Sequence, residues 1–372
     1  MERPIAWLAA VVALSALFTS SLTQLCTDFV SAREVLSNGT ASVLRASIFS
    51  RADGTRLITG KFLSLLVPIR IILTEESQDY GDDRFVQTAY LIAAYLGPNQ
   101  TLPGVDPVCS TGDCDWPTYG SLGICAEIVN ISASTNSSLL SELQEEFLIE
   151  LRDSQYSTVI AEAGSDLYYL AVVMPFLYPS TEFKEAPFQT IISQYFVGYF
   201  NSPVNLTDNA DLAKIQYTGV SLYFCAQSFS TTVKGGIYNT TELGSSSTIL
   251  HSSTNKTINS YWNTAIEGIH ICDPGPETGS TITLGGTIGL PNETYTIDFC
   301  TGVYLSQLYV IGTSGGILLD LDGEVQDTIG QISQALGDAI YGDFNTSTIP
   351  DSTTQYENVK LMTENIATSM TN

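Results

Sequence analysis

The sequence predicts an α+β, β-rich fold: a single disulfide-bonded extracellular domain with mainly antiparallel strands and two or three helices. Three observations point there. The stretch CSTGDCDWPTYGSLGIC, from Cys109 to Cys125, places three of seven cysteines within seventeen residues, around Gly112, Pro117 and one of three tryptophans. Cysteine spacing, turn formers and an aromatic anchor coincide there, as they do in a disulfide-held scaffold. From Asp166 onward, segments rich in aromatic and β-branched residues follow one another between turn-forming glycines, the signature of strands. Third, Asn-x-Ser/Thr sequons occur at Asn38, Asn99, Asn130, Asn136, Asn205, Asn239, Asn255, Asn292 and Asn345, nine of the sixteen asparagines. Chance would give about three, so the excess points to a glycoprotein of the secretory pathway.

Composition bounds the partners. The 372 residues can bury a full core, and no break in composition divides them. Asp and Glu number 39 against 14 Lys and Arg, for a net charge of −25. Such a chain is repelled by nucleic acid and by anionic membrane surfaces, so neither is an expected partner. Charged residues are only 14 % of the chain, which leaves solubility to neutral polar groups and attached glycans.

Residues 1–26 read as an N-terminal membrane anchor or signal peptide. Arg3 precedes an apolar run from Ile5 to Phe18, which weakens into Thr19, Ser20, Ser21, Thr23 and Gln24. An apolar core of about fourteen residues suits a signal peptide, while a span that tolerates Ser and Thr just crosses a bilayer. In both cases Arg3 stays inside and residues 27–372, the glycosylated cysteine-containing domain, are exported.

Within that domain, residues 43–49 and 63–73 read as strands, the second interrupted by Pro68 as at an edge or bulge. Residues 82–96 carry Phe85, Val86, Ala89, Tyr90, Ile92, Ala93 and Leu96 at helical spacing, with Asp82 and Asp83 at the start and Gly97-Pro98 at the end. Leu122, Ile124, Ala126 and Ile128 alternate as a strand, and residues 139–151 put Leu140, Leu143, Phe147, Leu148 and Leu151 on one helical face. Residues 167–178, 190–200 and 220–229 read as strands, and Gly235-Gly236 as a hairpin turn between QSFSTTV and IYNTTEL. Residues 244–257 read as a Ser/Thr-rich loop, then 281–288, 294–300 and 303–311 as strands and 328–340 as a helix. The tail is polar and ends in the helix-like ENIATSMTN.

With Cys26 in the leader, Cys109, Cys114, Cys125, Cys225, Cys272 and Cys300 remain. An even number in an exported chain implies three disulfides and no free thiol, with fifteen pairings open. The expected one joins Cys109 to Cys114, Cys125 to Cys225 and Cys272 to Cys300. Zinc is disfavoured by export and by the lack of a Cys-x2-Cys pair, although His270 lies two residues before Cys272. Gly312-Thr313-Ser314-Gly315-Gly316 resembles the nucleophile loop of serine proteases. The only histidines are His251 and His270, however, and neither has the surroundings of a triad base. That stretch reads as a glycine turn between strands, and Asp320 to Glu324 as a solvated turn lacking the further ligands of a calcium loop. No catalytic, cofactor-binding or metal-ligating residue is expected.

Three stretches together resemble an uncharacterised family of filamentous-fungal membrane proteins, a domain of unknown function. CSTGDCDWPTYGSLGIC is similar to the family's CPTGNCTWPPYSSLAVCSRC, GVSLYFCAQSF from Gly219 to Phe229 is similar to ECALYFCVQTY, and Glu364 to Asn372 matches ENIATSMTN. The family has further membrane helices upstream and one after the Met-Thr-Asn motif. Asp113 and Asp115 stand where the family has a sequon, and Ile128 and Val220 replace two cysteines. The resemblance implies that those two cysteines are bonded to each other in relatives, and so that Ile128 and Val220 are close and buried. It carries no activity with it.

The expected role is a non-catalytic cell-surface glycoprotein on the outer face of the plasma membrane, attached through the N-terminal helix. It would bind or sense an extracellular ligand or a cell-wall component. The alternative is an extracellular hydrolase acting on glycans or peptides, and the alternative location is secreted. An enzyme needs convergent acids with perturbed pKa values, whereas a binding module needs an exposed apolar or aromatic surface.

Overall fold

The computed structural model describes residues 30–32, 46–49, 93–94, 107, 109, 112–133, 137–153, 167–175, 182–205, 214–259, 277–303, 305–306, 315–321, 325–329, 332–342 and 350–371. Their architecture is α+β and β-rich, with two sheets and three longer helices. The smaller sheet contains β1 (Val30–Ala32), β2 (Ala46–Phe49), β9 (Ile249–Ser252), β10 (Thr281–Gly285) and β11 (Thr294–Asp298), in the order β1-β2-β11-β10-β9. Only its β2/β11 pairing is parallel.

The larger sheet is antiparallel throughout. It contains β3 (Cys114–Asp115), β4 (Tyr119–Asn130), β5 (Tyr169–Pro175), β6 (Ile191–Tyr199), β7 (Gln216–Lys234), β8 (Ile237–Ser246), β12 (Gly315–Leu319) and β13 (Val325–Ile329). The order is β13-β12-β5-β6-β7-β3, with β4 and β8 also paired to β7. At nineteen residues β7 is long enough to serve four partners. One of its edges takes β4 at residues 218–229 and β3 at 232–233, and the other takes β6 at 216–223 and β8 at 226–234.

Side chains alternate across a strand, so the two faces of this sheet enter different cores. Leu122 and Ile124 of β4 join Val220, Leu222, Phe224 and Ala226 of β7 and Ile282, Leu284, Tyr295 and Ile297 of the smaller sheet. The helices α2 (Ser333–Tyr341) and α3 (Ser352–Thr371) add Leu336, Ile340, Val359, Met362 and Ile366 to that core. On the opposite face α1 (Ser137–Asp153) buries Leu139, Leu143 and Phe147 against Leu170, Val172, Phe196, Phe200 and Tyr217. Two glycines set how closely these layers meet. A Cβ on Gly120 would fall on the Tyr295 hydroxyl, and one on Gly198 would lie 2.8 Å from the Phe147 ring. Fully buried Tyr341 donates to the Leu170 carbonyl at 2.7 Å, and burial holds its hydroxyl well above the ordinary tyrosine value.

Helix α3 begins on an N-cap: the Asp351 carboxylate accepts from the Thr354 N–H at 2.8 Å. Those hydrogen bonds hold the Asp351 carboxyl below its usual range. The helix then lies along the outer edge of β4, where the Thr371 hydroxyl accepts from the Ile124 N–H at 2.9 Å and the Tyr356 hydroxyl donates to the Ile128 carbonyl at 3.4 Å. The chain end is therefore a full helix, longer than the ENIATSMTN segment that read as helical.

Several boundaries differ from the sequence reading. Residues 244–257 are only in part a loop, because Gly244 to Ser246 finish β8 and residues 249–252 form β9. Thr is β-branched, and ladders to β7 and β10 supply the backbone partners that a Ser/Thr-rich composition does not advertise. The strand read at 294–300 stops at Asp298, and Val303, expected in a strand, is helical, as are Leu305 and Ser306. The Asp298 carboxylate causes the change, by taking both the backbone N–H and the hydroxyl of Thr301. The helix read at 328–340 begins at Ser333, since Thr328 belongs to β13. The leader, residues 63–73 and all of 82–96 except Ala93 and Ala94, which are helical and buried, lie outside the described residues. Among the described residues no helix is long and apolar enough to cross a membrane.

Candidate functional site

The cysteine stretch divides: Tyr119 to Cys125 belongs to β4 in the body, while Cys109 and residues 112–118 lie to one side of the main cores. They brace a two-stranded arm in which residues 229–234 of β7 pair with 237–242 of β8. Gly235 and Gly236 turn the hairpin with φ of +58° and +79°, the pair of left-handed residues that a two-residue type I′ turn requires. The loop closed by Cys109 and Cys114 latches onto that turn: the Gly235 N–H donates to the Asp113 carboxylate at 2.8 Å and the Gly236 N–H to the Gly112 carbonyl at 2.9 Å. Behind the latch Trp116, Tyr119 and Val233 form a small core with Phe229 against it. The Tyr119 hydroxyl shares a 2.8 Å hydrogen bond with Thr231, which meets Thr240 of β8 at 2.9 Å. Burial raises the Tyr119 hydroxyl above its ordinary value, against the pull of the Thr231 bond.

The outside of this arm and its base carry exposed apolar side chains beside the polar stretch from Asn239 to Glu242. Ile237 is 77 % exposed, Ile288 63 % and Leu250 59 %, with Tyr238 and Leu243 also exposed. At the base the residues converge. The Ile288 side chain occupies the space above Gly244, Leu250 lies over Gly285, and the Thr287 hydroxyl donates to the Gly244 carbonyl at 3.2 Å. Glu242, opposite Phe229 in the ladder, is exposed, and partial desolvation against the arm raises its carboxyl above the ordinary value. Sequence reasoning missed this surface because Leu250 fell in a stretch read as loop. The available signal was the run Ile237, Tyr238, Leu243, Leu250 with few charges between.

Two expected disulfides are present, Cys109–Cys114 and Cys125–Cys225, the second joining β4 to β7. Cys300 is also disulfide-bonded, and its expected partner Cys272 lies outside the described residues. Ile128 and Val220 are directly opposed in the β4/β7 ladder. Val220 is buried, but Ile128 is only half-buried against the same core, because it sits where β4 begins to emerge toward Asn130. The expectation of two buried side chains holds for Val220 alone.

Of the sequons, Asn130, Asn239, Asn255 and Asn292 are exposed and Asn205 is half-buried, while Asn38, Asn99, Asn136 and Asn345 lie outside the described residues. His251 is an exposed residue of β9. His270, Ser314 and Asp322 to Glu324 lie outside the described residues, and Gly315 and Gly316 open β12 rather than forming a turn. Among the described residues no three His, Cys, Asp or Glu side chains stand together as metal ligands would. Set against family models, curated proteins and solved structures, the chain matches none of them.

Proposed function

We propose that this chain is a non-catalytic glycoprotein domain on the outer face of the plasma membrane, which binds a cell-wall component or another extracellular ligand through the arm and its base. The carrying observation is where the exposed apolar side chains lie. Of nine large apolar residues exposed among the described residues, five (Ile237, Tyr238, Leu243, Leu250 and Ile288) belong to this one region. Exposed apolar side chains concentrated on one hairpin and its base support the reading of an interaction surface. Its backbone is held by a disulfide, a glycine turn and a buried tryptophan, so little order has to be imposed on binding. The net charge of −25 favours a neutral or cationic ligand over an anionic one. The reading agrees with the sequon excess and with the resemblance to fungal membrane proteins.

The hydrolase alternative would draw on Glu242, an exposed carboxyl of the arm that partial desolvation raises above its ordinary value. Co-sedimentation of the exported protein with isolated wall glucan and chitin tests the binding reading. The wild-type chain is expected to sediment and the Ile237→Asp/Tyr238→Ala variant to stay in solution. Release of soluble sugar that stops in Glu242→Gln would favour the hydrolase instead.

A further inference from the structure

The hairpin arm has two faces. Thr240 of β8 bonds to Thr231 and through it to Tyr119, which places it on the face of the small arm core. Residues 237–242 pair with β7 without a bulge, so side chains alternate strictly along them. Ile237, Asn239 and Thr241 therefore stand together on the other face, opposite Lys234, Thr232 and Ser230 of β7. Ile237 is 77 % exposed there, and beside it Asn239, the acceptor of the Asn239-Thr240-Thr241 sequon, is exposed as well. At a rise of about 3.3 Å per residue the two side chains leave the strand about 6.6 Å apart, within reach of a sugar ring linked to the asparagine. The other exposed sequons have no such neighbour: two residues before Asn130, Asn255 and Asn292 stand half-buried Ile128, Ser253 and half-buried Leu290.

We propose that the first N-acetylglucosamine of the carbohydrate on Asn239 lies back over Ile237, and that this contact steadies the tip of the arm. The C–H face of the sugar ring is apolar and removes the isoleucine side chain from water. Its hydroxyl and acetamido groups find donors at the margin, in the Thr232 hydroxyl and the Lys234 ammonium across the ladder. Because the sugar is tethered two residues away, its docking is intramolecular and gives up little further freedom. Ile237 is the first residue of β8 after the Gly235-Gly236 turn, so covering it opposes fraying of the hairpin where opening would start. The surface that the arm offers a ligand then includes this sugar.

The inference rests on the glycoprotein reading, and the experiment separates the two. The exported full chain, trimmed by an endoglycosidase to one sugar at each occupied site, is compared with Asn239→Gln, Ile237→Ser and the double variant. Occupancy is read by glycopeptide mass spectrometry and arm opening by amide exchange of residues 230–240. Intact Cys109–Cys114 and Cys125–Cys225 bonds serve as the check of folding. The expected result is an occupied Asn239, exchange about fivefold faster in either single variant, and no further rise in the double variant. Nuclear Overhauser contacts between the Ile237 methyls and the ring protons of the sugar should report the packing directly. An Ile237→Ser effect that is the same with and without the sugar, or the absence of those contacts, would overturn the seat and leave the glycoprotein reading standing. An unoccupied Asn239 beside occupied sites elsewhere would overturn the inference alone. A native chain without carbohydrate at any of its nine sequons would overturn both.

Discussion

The first part of β7, residues 217–228, runs through the body of the domain with both faces buried, whereas residues 229–234 leave it as one side of the arm. Each part has its own disulfide: Cys125–Cys225 in the body spans 100 residues of sequence and Cys109–Cys114 at the arm spans 5. In the chain-entropy account the longer closure contributes about 4.7 kcal/mol and the shorter about 2 kcal/mol. Packing follows the same division. The body is fixed by two large cores and the arm by a cluster built on Trp116, Tyr119 and Val233. One strand thus yields a rigid support and a presented surface, and the surface depends on local devices that the support can do without.

The contrast is broken most strongly by attacking the body. Cys125→Ala with Cys225→Ala should cost about 2 to 5 kcal/mol and lower Tm in one cooperative transition. The matching change at the arm, Cys109→Ser with Cys114→Ser, should leave that transition in place. Amide exchange of residues 112–118 and 230–240 should rise instead. Calorimetry with hydrogen exchange reads both, and a comparable Tm loss from the arm pair would erase the distinction.

Next in size is Gly120→Ala, which drives a methyl into the hydroxyl of Tyr295, a buried side chain fixed by a 2.8 Å bond to Glu293. Overpacking of this kind costs about 1 to 3 kcal/mol. Tyr295→Phe in the same chain removes the clashing atom and should recover part of the loss, which chemical denaturation of the two variants would show. An equally unstable double variant would mean that the two sheets are not spaced by this contact.

The smallest effect tests the opposed pair. Ile128→Cys with Val220→Cys should close an additional disulfide, because directly opposite residues bring their Cβ atoms within about 4.5 to 5.5 Å. The new bond nests inside Cys125–Cys225, so it closes only a short further loop and gives up the packing of two β-branched side chains. A net gain of about 1 kcal/mol is expected. Either substitution alone should give none. Mass spectrometry of the unreduced protein shows the bond directly, and a pair of free thiols would refute the register.

Much of the body was legible in the sequence, because its strands and helices obey their periods. Leu122, Ile124, Ala126 and Ile128 alternate, and they lie along one side of β4. Leu143 and Phe147 share a helical face and are buried. The Gly235-Gly236 turn was equally plain. What the sequence hid was long-range. Nothing local says that β7 serves four partners, that α3 closes the edge of β4, or that Gly112 and Asp113 meet the hairpin turn more than a hundred residues later. The strand read from Val303 failed at its start, where Val303, Leu305 and Ser306 are helical, for a local reason: Asp298 followed by Thr301 is a helix-start signal placed at the end of a strand. The surface at Leu250 was lost because Ser and Thr were read as loop formers when edge pairing made them strand.

The central claim is that the body supports and the arm binds. The most direct test sets Ile237→Asp/Tyr238→Ala beside Gly120→Ala and measures wall co-sedimentation and Tm for each. The arm variant is predicted to lose binding by about tenfold or more, as deletion of a central apolar contact does, with Tm unchanged, while the body variant loses Tm and keeps its binding below the transition. Binding retained by the arm variant, or lost from both in step with Tm, would contradict the account.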